Sequence, residues 1–280
     1  MLFGLLFMGL LISCTSKTTV RLKGIGLDSL SFPAYREALE GRLHEFGMTA
    51  NIAYVSGQIV MEMPDDSMLI TKVLEPRGLL SVRETYIVDE LHLEELYRMT
   101  DLEGKLQNPQ PGVGGNCIIA VADESDTMAV MDAVEMLRQR RSLTDLLPMW
   151  GKDASTLYHS QSADKDCFEL YAVRGSAEAA LTNRDIAEIE VDERWDGKPA
   201  LTLQFTDEAA IVWSDMTKQN VHRTIAIEMD GRVLTAPMVQ TQVTGGLAQI
   251  CSEMNHDQAL CLRAIIKHPL PRPLLLVNKK

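Results

Sequence analysis

Thr224-Ile225-Ala226-Ile227-Glu228-Met229-Asp230-Gly231-Arg232-Val233-Leu234-Thr235 is the stretch on which the fold turns. Two alternating runs flank Asp230-Gly231, and Asp-Gly suits a tight turn whose two central residues both need positive φ. The turn sets the register. Met229 is expected opposite Arg232, Ile227 opposite Leu234 and Ile225 opposite Ala236, which puts two apolar pairs on one face of a half-buried hairpin. Just upstream, Thr206 caps a helix from Asp207 to Asn220; Asp207 and Glu208 fill its first turn, and Ala209, Val212, Trp213 and Met216 form its apolar face. A hairpin beside an amphipathic helix implies a helix packed on an antiparallel sheet, and the class is α+β.

Working outward, Thr18 to Leu27 reads as a strand, and Ser31 with Pro33 opens a helix carrying Tyr35, Leu39, Leu43 and Phe46 on one face, closed by Gly47. Ile52 to Val55 and Ile59 to Met63 form a hairpin through Ser56-Gly57; Asp65 to Leu74 reads as a helix and Leu79 to Tyr86 as a strand. This β-α-β-β-α-β order is that of a ferredoxin-like sheet with helices on one face. The stretch Asn108-Pro109-Gln110-Pro111-Gly112-Val113-Gly114-Gly115 is a linker by composition. Beyond it come a strand from Asn116 to Ala122, a helix from Ser125 to Arg140, and strands near Phe168 to Val173, Asp185 to Glu193 and Ala200 to Phe205. Gly245-Gly246, a helix from Asp257 to Lys267 and Leu270-Pro271-Arg272-Pro273-Leu274 complete the pattern.

The chain carries 27 Lys plus Arg against 39 Asp plus Glu, a net charge of −12, with the basic residues scattered, so nucleic acid is excluded as a partner. With 46% hydrophobic residues it can bury a real core. Met1 to Ser13 is uncharged and strongly apolar but too short to span a bilayer, and Leu11-Ile12-Ser13-Cys14 looks like a bacterial lipobox. Residues 1–14 are therefore read as a lipoprotein signal peptide with Cys14 as the acylated residue. The remaining Cys117, Cys167, Cys251 and Cys261 are expected as buried thiols, with one bridge allowed. Cys251, His256, Cys261 and His268 lack the short ligand pairs of zinc sites, so no metal or other cofactor is assigned.

Enzyme chemistry finds little support. His159, Ser160, Ser162 and Asp164 share one loop-like stretch, whereas a triad is assembled from separate elements, and no Gly-x-Ser-x-Gly occurs. Gly245-Gly246 lacks the Lys-Ser/Thr of a phosphate loop, and Asp230 is accounted for by its turn. Asp65-Asp66 and Glu94-Glu95 read as solvated charge.

Several blocks together resemble the first periplasmic domain of SecD and SecDF, subunits of the bacterial protein-export machinery. In the N-terminal unit these are Arg42-Leu43-His44-Glu45-Phe46-Gly47, Met63-Pro64 and Leu80-Ser81-Val82-Arg83. In the C-terminal unit Ala226 to Val233, Ala236-Pro237, Gly245 to Ile250 and Leu270 to Leu274 fall in the family's order and spacing. His44 stands where an acid is usual and Cys251-Ser252 where Thr-Gly is usual. Family members continue into membrane helices after the Leu-Pro-x-Pro-Leu segment, while this sequence ends at Lys280, so it is not expected to be a motor by itself.

The resemblance implies a ferredoxin-like base over 15–115, an inserted α+β head over 116–268, and a strand over 269–280 returning to the base. Taken with the lipobox-like ending at Cys14 and the missing catalytic constellations, it leads to the expectation of a lipid-anchored envelope protein, its body in the periplasm, that binds unfolded or emerging polypeptides or export-machinery components and does no covalent chemistry. Asp230, Gly231, Ala236, Pro237, Gly245 and Gly246 are the residues expected to build the polypeptide-binding motif. The alternatives are a structural lipoprotein that holds one partner protein, and a degenerate SecD paralogue with no transport role.

Overall fold

The computed structural model describes residues 17–64, 72–107, 109, 117–158, 165–175, 178–194 and 196–279. Cys14, the apolar run before it, most of the expected helix over 65–74, most of the 108–115 linker and the 159–164 loop lie outside the described residues.

The chain divides into two compact units, residues 1–76 with 270–280, and residues 77–269. The first contains β1 (Lys17–Gly24), α1 (Phe32–His44), β2 (Asn51–Val55), β3 (Gln58–Pro64) and β14 (Leu274–Lys279). Its four-stranded antiparallel sheet has the order β14-β1-β3-β2. Alternate residues Val20, Leu22, Ile59, Met61 and Met63 are buried, as are Tyr35, Leu39 and Leu43 of α1, so period-2 and period-3.6 faces supply one interior. Ser56 at φ 50° and Gly57 at φ 79° make the β2–β3 turn, and Gly47 at φ 66° ends α1. Arg42 is fully buried, its guanidinium donating to the carbonyls of Val73 (2.6 Å) and Pro76 (2.8 Å). Those bonds offset the desolvation of the charge.

The second unit holds three antiparallel sheets. One has β5 (Ile118–Asp123), β7 (Cys167–Arg174) and β6 (Leu146–Trp150) in the order β5-β7-β6, with α2 (Thr127–Arg140) burying Val130, Val134 and Leu137 in the same cluster as Ile119, Leu170 and Ala172. A second orders β13 (Leu247–Ile250), β10 (Pro199–Phe205) and β9 (Ile186–Glu193), against which α3 (Asp207–Gln219) and α4 (His256–Lys267) pack. The third orders β12 (Arg232–Thr235), β11 (Ile225–Met229), β4 (Leu80–Glu84) and β8 (Leu181–Thr182).

The strand read over 79–86 forms as β4, but it pairs with β11 and β8 and not with the first unit's sheet. Leu80, Ser81 and Val82 are buried in succession, which suits a central strand covered on both faces. The fourth place in the first sheet goes to β14. The compact units differ from the boundary at the 108–115 linker by the segment 77–107, which belongs to the second unit.

The Asp230-Gly231 turn forms with φ 54° and 81°, and Met229 opposes Arg232. The expected register then fails: a bulge between Ile227 and Glu228 places Ile227 opposite Thr235. The hairpin is not half-buried either. All five residues of β11 are buried, because β4 continues the sheet on its other side. On α3, Val212 is 43% exposed and Thr217 is buried in its place, so the apolar face is rotated from the expected one.

Candidate functional site

A cleft of about 350 Å³ opens in the second unit. It is built on β7, where Glu169 and Tyr171 stand two residues apart and so point from one face of the strand, while Leu170 and Ala172 enter the α2 core on the other. After β6 the chain turns back over β7. Gly151 N–H donates to Glu169 O (2.8 Å) and Ser155 N–H to Cys167 O (2.7 Å), so the 151–157 loop forms one wall. Ser155 Oγ accepts from the N–H groups of Leu157 (3.1 Å) and Tyr158 (3.0 Å), which fixes the loop's turn. The opposite wall is β12 with Ala236; Lys152 N–H donates to Val233 O at 2.8 Å. Arg194 and Cys251 to Glu253 close the rim.

Glu169 lies at the floor of the cleft, 8% exposed, and accepts from the hydroxyls of both Ser155 and Tyr171. Burial and the adjacent Glu169 charge push the Tyr171 hydroxyl far above the usual phenol range, so it stays a donor. The other charges of the lining are paired: Lys152 with Asp153 (3.2 Å), Arg194 with Asp196 (3.0 Å), and Glu253 with Lys198 (2.7 Å). Leu157 and Val233 stand beside hydroxyls and carboxylates, so the lining is amphipathic.

The residues expected to form one motif are separated. Ala236 alone among them lines this cleft. Pro237 lies just beyond it, its carbonyl accepting from Ile225 N–H at 3.1 Å. Asp230 and Gly231 serve the turn and, beyond the turn geometry, the Asp230 carboxylate accepts from the N–H groups of Gly78 and Leu79, both at 2.9 Å. The nearby Glu228 is buried and accepts from Gly231 N–H at 3.0 Å. Gly246, at φ 65°, is pressed against α3, where a Cβ would lie 2.7 Å from that of Ala210; Gly245 is exposed with open space around it. Cys14 lies outside the described residues. Cys117, Cys167, Cys251 and Cys261 are not joined by a disulfide, and Cys251 is exposed, not buried as expected. Among the described residues, no three His, Cys, Asp or Glu side chains gather as metal ligands.

Sequence reading did not single out Ser155, Glu169 or Tyr171. One sign of them was available: Glu169 is a lone acid inside the apolar run Cys167 to Val173.

Residues 156–269 match the family model described as SecDF, P1 head subdomain. The chain is 38% identical over 101 residues to the protein translocase subunit SecD of Acidaminococcus fermentans, covering 36% of this chain and 24% of that protein. It is 35% identical over 95 residues to the protein translocase subunit SecDF of Thermus thermophilus, covering 34% and 13% respectively. The match thus spans about a quarter or less of these relatives' length. In three dimensions the fold resembles a crystal structure of SecDF in a super-membrane-facing form, with a TM-score of 0.56 and 22% identity over 94% of this chain and 30% of that one. It also resembles the structure of a SecDF membrane component that enhances protein export, with a TM-score of 0.53 and 21% identity over 93% of this chain and 98% of that one.

Proposed function

We propose that this chain is a SecD-like periplasmic domain and a non-enzymatic envelope lipoprotein, held at the membrane by lipid on Cys14, that binds unfolded or emerging polypeptides in protein export; the likeness to SecD and SecDF supports the reading. The observation that carries this reading is the match of residues 156–269 to the SecDF head subdomain, a span that includes β12, Ala236 and most of the cleft lining. The lining supports it, because apolar side chains beside fixed hydroxyls and carboxylates suit an extended chain that presents both kinds of group. Glu169 in the cleft, and Glu228 and Asp230 of the β11–β12 hairpin, already accept structural bonds, which favours binding over proton-transfer chemistry. No helix among the described residues is long and apolar enough to cross a membrane, and the proposed lipid on Cys14 supplies the membrane attachment.

A transport factor must release its clients, so micromolar or weaker affinity, roughly 8 kcal/mol or less, is expected. The test combines titration of unfolded reporter peptides onto the purified body with photocross-linking in cells from Leu157 and from Met128, an exposed residue on α2 that does not line the cleft. Saturable binding and client adducts from Leu157 but not Met128 are expected. No peptide binding up to millimolar concentration would overturn the reading.

A further inference from the structure

Glu169 is a buried carboxylate with no cation paired to it among the described residues. Each of the other two acids in the cleft lining, Asp153 and Glu253, has a lysine partner, and both lining cations, Lys152 and Arg194, are engaged with acids. Among the described residues no Lys, Arg or His forms an ion pair with Glu169, whose carboxylate accepts from the hydroxyls of Ser155 and Tyr171. A carboxylate offers about four acceptor positions, and two neutral donors leave its charge uncompensated. Burying a charge in that condition is unfavourable, and an entering countercharge would reduce the cost.

We propose that the cleft is a cation-specific subsite in which Glu169 receives the ammonium or guanidinium of a lysine or arginine side chain carried by the bound polypeptide. This rests on the polypeptide-binding reading above. The shape suits such a guest: Leu157 and Val233 can lie along an aliphatic stem while its charged head reaches the floor between Ser155 and Tyr171. The long-range field agrees. Residues 77–269 hold 31 of the 39 acidic residues and 18 of the 27 basic ones, so the unit that contains the cleft bears the chain's acidic surplus and attracts cationic segments.

The experiment uses the full mature chain and two kinds of probe. N-acetyl-lysine methylamide is compared with its uncharged norleucine isostere by NMR titration, and N-acetylated peptides differing only by Lys or Gln at one position are compared by calorimetry. A saturable lysine response is expected near Tyr171, with a tenfold or greater preference for the Lys peptide. Glu169→Gln should bring that preference within twofold. Glu188→Gln, at an exposed acid of β9 that does not line the cleft, should leave it unchanged. If Glu169→Gln does not fold, Tyr171→Phe decides: it removes a hydroxyl donor but keeps the carboxylate, so the lysine preference should persist or grow, and its loss would overturn the proposal.

Equal binding of Lys and Gln peptides, or a preference that survives in Glu169→Gln, overturns the subsite and leaves polypeptide binding standing. Binding of the lysine amide without binding of any peptide does the reverse. A preference for a free N-terminus over a lysine side chain, read by comparing unacetylated with acetylated peptides, overturns the assignment to side chains.

Discussion

At the scale of single residues, Asp230 is held by more than its turn. It sits at φ 54°, a conformation Asp tolerates, and its carboxylate also accepts from two backbone N–H groups at the start of β4, some 150 residues earlier in the chain. Hydrogen bonds to an ionised acceptor are worth about 1.5 to 3 kcal/mol each when shielded, and less where solvent competes, as at Leu79. Asp230→Ala is therefore expected to lower stability by about 2 to 3 kcal/mol. Asp230→Asn, which keeps the turn preference and one acceptor oxygen, should lose about half of that. Urea midpoints of the two variants check this; an Asp230→Ala variant within 0.5 kcal/mol of wild type would show that the tie to Gly78 and Leu79 carries no weight.

At the scale of elements, the loop entering β13 shows how one glycine of a pair can be fixed by its surroundings while its neighbour is free. Gly246 has φ 65°, its carbonyl accepts from Phe205 N–H (2.9 Å), and a Cβ there would press on Ala210 of α3. Trp213 of α3 donates its indole N–H to Leu247 O at 3.0 Å, so helix and strand are joined on both sides of that contact. Gly246→Val should cost about 1 to 3 kcal/mol through backbone strain, with further loss from the clash. Gly245→Val, in open space with an ordinary φ, should stay within about 0.5 kcal/mol of wild type. Thermal melts of the pair, with circular dichroism to confirm folding, decide it: equal losses would mean that the α3 contact is not what constrains this loop.

At the scale of the whole molecule, the proposed attachment separates a lipid anchor from a protein one. Lipobox processing followed by multiple acylation at Cys14 would give stable membrane association where a single chain is marginal. Cys14→Ala is expected to move the body into the soluble fraction or to leave the precursor unprocessed. Membrane fractionation with an antibody to the body, alongside the molecular mass of the product, reports both. A fully processed Cys14→Ala protein that still fractionates with membranes would remove the lipid anchor from the model of function.

Periodicity and turn chemistry in the sequence settled the α+β class, the α1, α3 and α4 helices, the two tight turns at Ser56-Gly57 and Asp230-Gly231, and the Thr206 cap, whose side chain accepts from Ala209 N–H as its type demands. Each of those signals acts within a few residues, where backbone sterics and local hydrogen bonds decide the outcome. The tertiary structure decided which strands became neighbours. β4 reads like a partner for the first sheet, yet its three buried residues in succession require cover on both faces, which the packed layers of the second unit provide, while β11 and β8 pair with its two edges. The bulge that shifts Ile227 opposite Thr235 likewise lies beyond what the turn signal specifies, since the turn itself keeps Met229 opposite Arg232. The cleft belongs to the same category. Ser155, Glu169 and Tyr171 meet only because the 151–157 loop folds back on β7, and a lone acid in an apolar strand becomes a candidate site once nearby hydroxyls hold it and no cation among the described residues does.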